Sequence, residues 1–152
     1  MKTLARERDK AEILARLKTV RPNAVRRWGR MSAHQMICHL SDAFRMGIGQ
    51  KPVSRVGGVL HRTILKWTVL YVPVRWPRGI VTVSEIDQEL GGTKPVDFAA
   101  DVAQLESLLE LITTQPRGFD WQSHPIFGPM SAGAWLRWGY LHTDHHLRQF
   151  GA

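Results

Sequence analysis

Residues 131–151 read Ser-Ala-Gly-Ala-Trp-Leu-Arg-Trp-Gly-Tyr-Leu-His-Thr-Asp-His-His-Leu-Arg-Gln-Phe-Gly. Ser131 is a good N-cap, because its hydroxyl can accept from the orphan amides of a first helical turn. Gly151 suits the left-handed residue that follows a helix end. The stretch between them contains no proline and predicts one long helix ending near Phe150. With each residue turning about 100°, Trp135, Trp138, His142, His145, His146 and Gln149 fall on one side. Leu136, Tyr140, Asp144 and Leu147 fall on the other.

Three further segments carry the same periodicity. The first runs from about Leu4 to Val20, with Ala11, Leu14 and Leu17 as its stripe and Pro22-Asn23 beyond its end. The second starts at Ser32, where Ser32 and Gln35 have capping-box spacing, and reaches about Met46 before Gly47 and Gly49. The third, 98–114, places Phe98, Val102, Leu105, Leu109 and Ile112 on one face. A shorter helix is expected over 59–71, followed by an irregular stretch containing Pro73, Pro77 and Gly79. No segment shows the alternation of a strand. The expected fold is all-α, an antiparallel four-helix bundle with an additional short helix in the second crossover, forming one domain over residues 1–152.

Composition agrees with this class. The chain of 152 residues is 43% hydrophobic and 22% charged, ordinary values for a globular domain. Its one cysteine, Cys38, rules out an internal disulfide and fits a reducing compartment. The charged start, Met1 to Lys10, has no signal-peptide core. The most apolar stretch, Val56 to Val74, is broken by His61, Arg62 and Lys66, which makes it a poor membrane span. A cytoplasmic protein with no membrane partner is the expectation. Residues 1–30 hold ten Lys or Arg against three acids, a net +7 of the formal +8. Such a segment can steer anions, yet no interleaved aromatics accompany it, so a solvated helix face is expected and nucleic acid is not.

The histidines carry the chemistry. His142 and His146 are an i,i+4 pair about 40° apart around the helix axis, so their rings can converge on one ion. His145, at i,i+3 from His142, competes for the second position. On the second segment Ser32, Met36, His39, Ala43 and Met46 form one stripe. His39 thus occupies an inward slot in an otherwise apolar or small row, where an unmet ring nitrogen costs about 1–3 kcal/mol. A lone core histidine is more often hydrogen-bonded than metal-bound. Three histidines on two helices that a bundle brings face to face favour a metal, with a position left open for water or substrate. Asp42 and the leftover His145 are candidate catalytic groups, and Trp135, Trp138 and Gln149 candidate pocket residues. Cys38 lies about 100° from His39 around its helix and is expected to be a buried structural thiol.

At Trp28, Met31-Ser32, Ile37-Cys38-His39-Leu40, the turn His124-Pro125-Ile126-Phe127-Gly128 and the ending Asp144 to Gly151, the chain resembles the DinB/YfiT-like metalloenzyme superfamily. The resemblance covers most of the chain. It implies a four-helix bundle, often dimeric, so a homodimer is expected. It also implies a metal held by one histidine of the second helix and an H-x-x-x-H pair of the last, which here are His39, His142 and His146. A glutamine three residues after the last ligand is matched by Gln149. The doubled His145-His146 departs from the single histidine usual at that point. Characterised relatives include transferases and an isomerase that use low-molecular-weight thiols. The implied function is a metal-dependent transferase acting on a small molecule with such a thiol, the ion being divalent, zinc or nickel first. A metal-dependent hydrolase and a non-catalytic stress or binding protein are the alternatives.

Overall fold

The computed structural model describes residues 1–56, 58–73, 75–80 and 82–152. Among these the chain forms five α-helices and no strand. They are α1 (Glu7–Leu17), α2 (Ala33–Gly47), α3 (Lys66–Tyr71), α4 (Phe98–Thr113) and α5 (Ala132–Gln149). A π-helical turn, His61–Leu65, runs into α3, and a 3-10 turn covers Ser84–Ile86. Val74, which ends the most apolar stretch, lies outside the described residues.

The caps form where the side chains predict them. Ser32 accepts from the Gln35 amide while Gln35 reaches back to the Ser32 amide, closing the capping box of α2. Asp97 accepts from the Ala100 amide and Ser131 from the Ala134 amide, starting α4 and α5. Each such cap contributes about 1 kcal/mol.

Helix α2 is the centre. It packs along α4 and α5 and touches the 3-10 turn, while α1 and α3 lie against α5. Ile37, Leu40 and Phe44 join Leu105, Leu109, Ile112, Leu136 and Leu147 in the larger core cluster. A smaller cluster gathers Ala43, Met46, Leu70, Trp135 and Trp138. Helix α5 contributes to both clusters, Leu136 and Leu147 to the larger and Trp135 and Trp138 to the smaller.

The stripe of α1 differs from the expected one. Ala11 is exposed, and the buried positions are Asp9, Lys10, Ile13 and Leu17. The Lys10 stem lies along the core edge while its ammonium reaches Glu110 at 3.1 Å and Glu7 at 3.2 Å. A long stem with a paired head can cover apolar surface that alanine cannot. Helix α1 also starts later than expected, because Leu4 is used as an anchor. Leu4 is buried and its amide donates to the Leu136 carbonyl of α5. Part of the basic N-terminal segment is tied to the body in the same way. Lys2 pairs with Glu12, Arg16 with Asp144, and Arg30 with Asp87 and Glu89.

Candidate metal centre

Helices α2 and α5 bring His39, His142 and His146 together. One ligand atom from each lies within 4.8 Å of the other two, and all three residues are buried. His39 Nε2 and His142 Nε2 are 3.2 Å apart. His145 stands outside this group, with its ring centroid 5.3 Å from that of His146.

Hydrogen bonds decide which nitrogens face inward. His39 Nδ1 donates to the Ile86 carbonyl at 2.8 Å, which leaves its Nε2 as a lone pair. His146 Nδ1 lies 3.0 Å from Gln149 Oε1, and Gln149 Nε2 donates to the Trp28 carbonyl at 2.7 Å. The amide is thus oriented with its oxygen toward the ring, so His146 Nδ1 carries the proton and Nε2 is again a lone pair. His142 is held differently. Its ring stacks on Trp138 at 4.6 Å, and its buried Nδ1 has no partner. It is the one ring free to switch tautomer, either donating from Nε2 to His39 or presenting a third lone pair.

All three rings are held neutral, the form that binds metal. Burial pushes His142 well below the ordinary histidine value, and neighbouring His146, His39 and His145 push it further. His146 is lowered well below by burial and then by His39. Burial lowers His39 too, against the opposing pull of the Ile86 carbonyl. Three neutral imidazoles, two with their lone pairs fixed by acceptors on the far nitrogen, fit a divalent cation.

The group opens on a cavity of about 790 Å³, walled mainly by apolar side chains. Trp138, Gln149 and His145 line it, with Trp28 and Trp76 flanking His145. Trp135 does not. It stacks on Trp121 at 5.2 Å and donates from Nε1 to the Gln122 carbonyl, which places it in the core behind the site. Asp42 does not reach the cavity either. Its oxygens accept from Thr93 at 2.6 and 2.7 Å and from Gln88 at 3.2 Å, with Lys51 and Arg45 beside them.

Cys38 is buried where α2 meets α4, about 100° around the helix from His39. Its Sγ points at Asp101 Oδ2, 3.6 Å away, and that oxygen also accepts from His34 Nε2 at 2.7 Å and the Val96 amide. Burial first, then the Asp101 carboxylate, pushes the thiol up to about 12. His34, Cys38 and Asp101 also have metal-ligand proximity, but the single carboxylate oxygen already gathers their protons. Two participants escaped the sequence. The Ile86 carbonyl is main chain and gives no signal. His124, in the quoted turn, lines the cavity while its Nδ1 accepts from the Ile126 and Phe127 amides, both at 3.2 Å.

Comparison with curated proteins and with solved structures returns no match to this chain. A family model described as "Protein of unknown function (DUF1569)" matches residues 4–152. The match spans nearly the whole sequence and both helices that carry the histidines, so the chain belongs to the DUF1569 family.

Proposed function

We propose that the chain is a metal-dependent enzyme built on the antiparallel four-helix bundle of the DinB/YfiT-like superfamily. Helices α1, α2, α4 and α5 are its four long members, with α3 in the crossover between α2 and α4. The observation that carries the metal reading is the pair of anchors on the far nitrogens, Ile86 on His39 and Gln149 on His146. They aim two lone pairs at the place where His142 also points. Lone pairs gathered without a cation repel, and histidine ligands of metals are usually oriented by acceptors of this kind.

A divalent ion bound there would supply Lewis acidity and favour the anionic form of a thiol or water. The rest falls to the protein. The apolar walls exclude water and hold a small organic substrate by burial. His145, lining the cavity beside His146, is kept neutral by burial and by Arg148, against Asp144. It is therefore available to accept a proton from the nucleophile. Asp42 is already spoken for by Thr93 and Gln88, which leaves His145 as the base on this reading. Gln149 holds His146 and closes one wall.

The preferred reaction is transfer to a low-molecular-weight thiol, with hydrolysis as the second reading. The predominantly apolar wall favours an uncharged electrophile over an ionic one. The discriminating assay is turnover of an electrophilic chromogenic substrate by zinc- or nickel-loaded protein, with and without added thiol. Thiol-dependent turnover lost in His142→Ala supports transfer. Turnover that needs no thiol supports hydrolysis. A metal-loaded protein inert in both arms would remove the enzymatic reading and leave a binding protein.

A further inference from the structure

Between Asp42 and Glu85 the sequence holds seven Lys or Arg and no acidic residue. Arg45 and Lys51 face Asp42. The other five, Arg55, Arg62, Lys66, Arg75 and Arg78, have no carboxylate within ion-pair distance among the described residues. The same segment carries a row of uncovered apolar side chains. Leu60, Ile64, Trp67 and Tyr71 follow at steps of four, three and four, which is one face of a helix. Their exposures are 69%, 66%, 62% and 40%. Val59 and Ile80 are exposed beside them.

The helix is turned outward. Leu70 is buried on its inner side, while Arg55, Arg62, Arg75 and Arg78 are exposed, Arg78 lying over the Trp28 ring at 4.6 Å, and Lys66 is half-buried. Lys66 Nζ donates to the Pro129 carbonyl at 3.1 Å, and the Arg62 stem lies against Gly128. An exposed apolar row in a segment whose exposed cations have no carboxylate partner is the pattern of a helix lying in a lipid interface. A second copy of the chain, seated symmetrically on this segment, would bring its cations together with no carboxylate from the segment to offset them. An anionic bilayer supplies hydrocarbon for the row and negative charge for its flanks.

We propose that residues 59–73 and 75–80, with Arg55 before them, dock on an anionic phospholipid surface, with Leu60, Ile64, Trp67 and Tyr71 seated at the acyl boundary and the exposed Arg55, Arg62 and Arg75 among the headgroups. Leu65, Thr68 and Val69 of the same helix, with Arg75, Trp76 and Ile80, line the cavity that leads to the histidines. Its mouth therefore borders the docked face. On the metal-enzyme reading, the substrate is a lipophilic molecule taken from the bilayer. The docking itself uses no metal ligand. It replaces the expectation from hydropathy that no membrane takes part, and it involves no span, since among the described residues no helix is long and apolar enough to cross one.

The test uses the full chain, metal-free and metal-loaded, with vesicles of phosphatidylcholine alone or with about 30% phosphatidylglycerol, at low and high salt. Co-sedimentation measures binding, and quenching by brominated lipid locates the tryptophans. Partitioning at least about tenfold stronger on anionic vesicles is expected, falling with salt. Quenching should be largely lost in Trp67→Phe. Ile64→Ser/Trp67→Ser should lose the binding while keeping the helical circular dichroism of the wild type. No binding to anionic vesicles at low salt overturns the proposal. So does binding that the double variant retains, which would assign it to the basic N-terminus. A dimer that the double variant dissolves, without vesicle binding, would give the face to a second copy. Binding that is equal with and without metal, alongside a failed metal analysis, would leave the docking standing alone.

Discussion

His146 Nδ1 donates to Gln149 Oε1 at 3.0 Å, one helical turn along α5, and the amide is fixed in that orientation by its bond to the Trp28 carbonyl. A residue outside the ligand set thus sets the tautomer of a ligand. Through Trp28 it also ties the metal centre to the segment that precedes α2.

Gln149→Leu keeps the bulk and removes the acceptor. Metal affinity should fall roughly 10–100-fold, the usual effect of losing such a partner. Competition with a chromogenic chelator reads this directly. Unchanged affinity would show that His146 needs no orienting group.

Gly29 is the backbone side of the same contact. Its φ is +79°, and a Cβ there would sit 2.2 Å from Gln149 Nε2. Gly29→Ala combines a left-handed cost of about 1–2 kcal/mol with displacement of the amide. Both melting temperature and metal affinity should drop. Gly133→Ala, where a Cβ meets open space, should change neither metal affinity nor the fold and serves as the control.

Cys38 should be chemically silent in the folded protein. With its thiol pushed up to about 12, the thiolate at pH 8 is about one part in ten thousand. Iodoacetamide should leave native protein unlabelled and label it readily in denaturant. Rapid native labelling would mean that α2 and α4 separate at Asp101.

His124 makes the fold acid-sensitive. Burial holds its imidazole down at about 3, against an ordinary value near 6.5. Above pH 6.5 it is neutral in both folded and unfolded chains and contributes no pH dependence. As pH falls from 6.5 toward 3 the unfolded chain takes up a proton that the folded one refuses. Stability is then lost at up to about 1.4 kcal/mol per pH unit. His124→Asn, which can still accept from the Ile126 and Phe127 amides, should flatten that slope by up to one proton in denaturant titrations between pH 4 and 6. An unchanged slope would place the acid sensitivity elsewhere.

The sequence made the local rules visible and left the long-range ones dark. Ser32, Gln35 and Ser131 are read as caps because capping is decided within four residues. His39, His142 and His146 are read as a group because helical spacing is rigid. The rivalry of His145 needed the packing of α5 against α2, which turns His146 toward His39 and His145 toward Trp28 and Trp76. Lys10 in the place of Ala11 depends on Glu110, a hundred residues away. Asp42 looked free to act until Thr93 and Gln88 folded over it from the loop before α4. Trp135 shares a helical side with the histidines, but Trp121 stacks on it and holds it in the core. The outward face of α3 was not legible, because hydropathy averages its cations with its apolar row and shows only a poor membrane span.

The central claim is that His39, His142 and His146 hold one metal ion. Elemental analysis of protein purified without a histidine tag or chelators, repeated on His142→Ala, tests it most directly. About one equivalent of a divalent transition metal in the wild type, lost in the variant, is the predicted result. A wild type free of metal that takes up none on titration with zinc or nickel would contradict the claim.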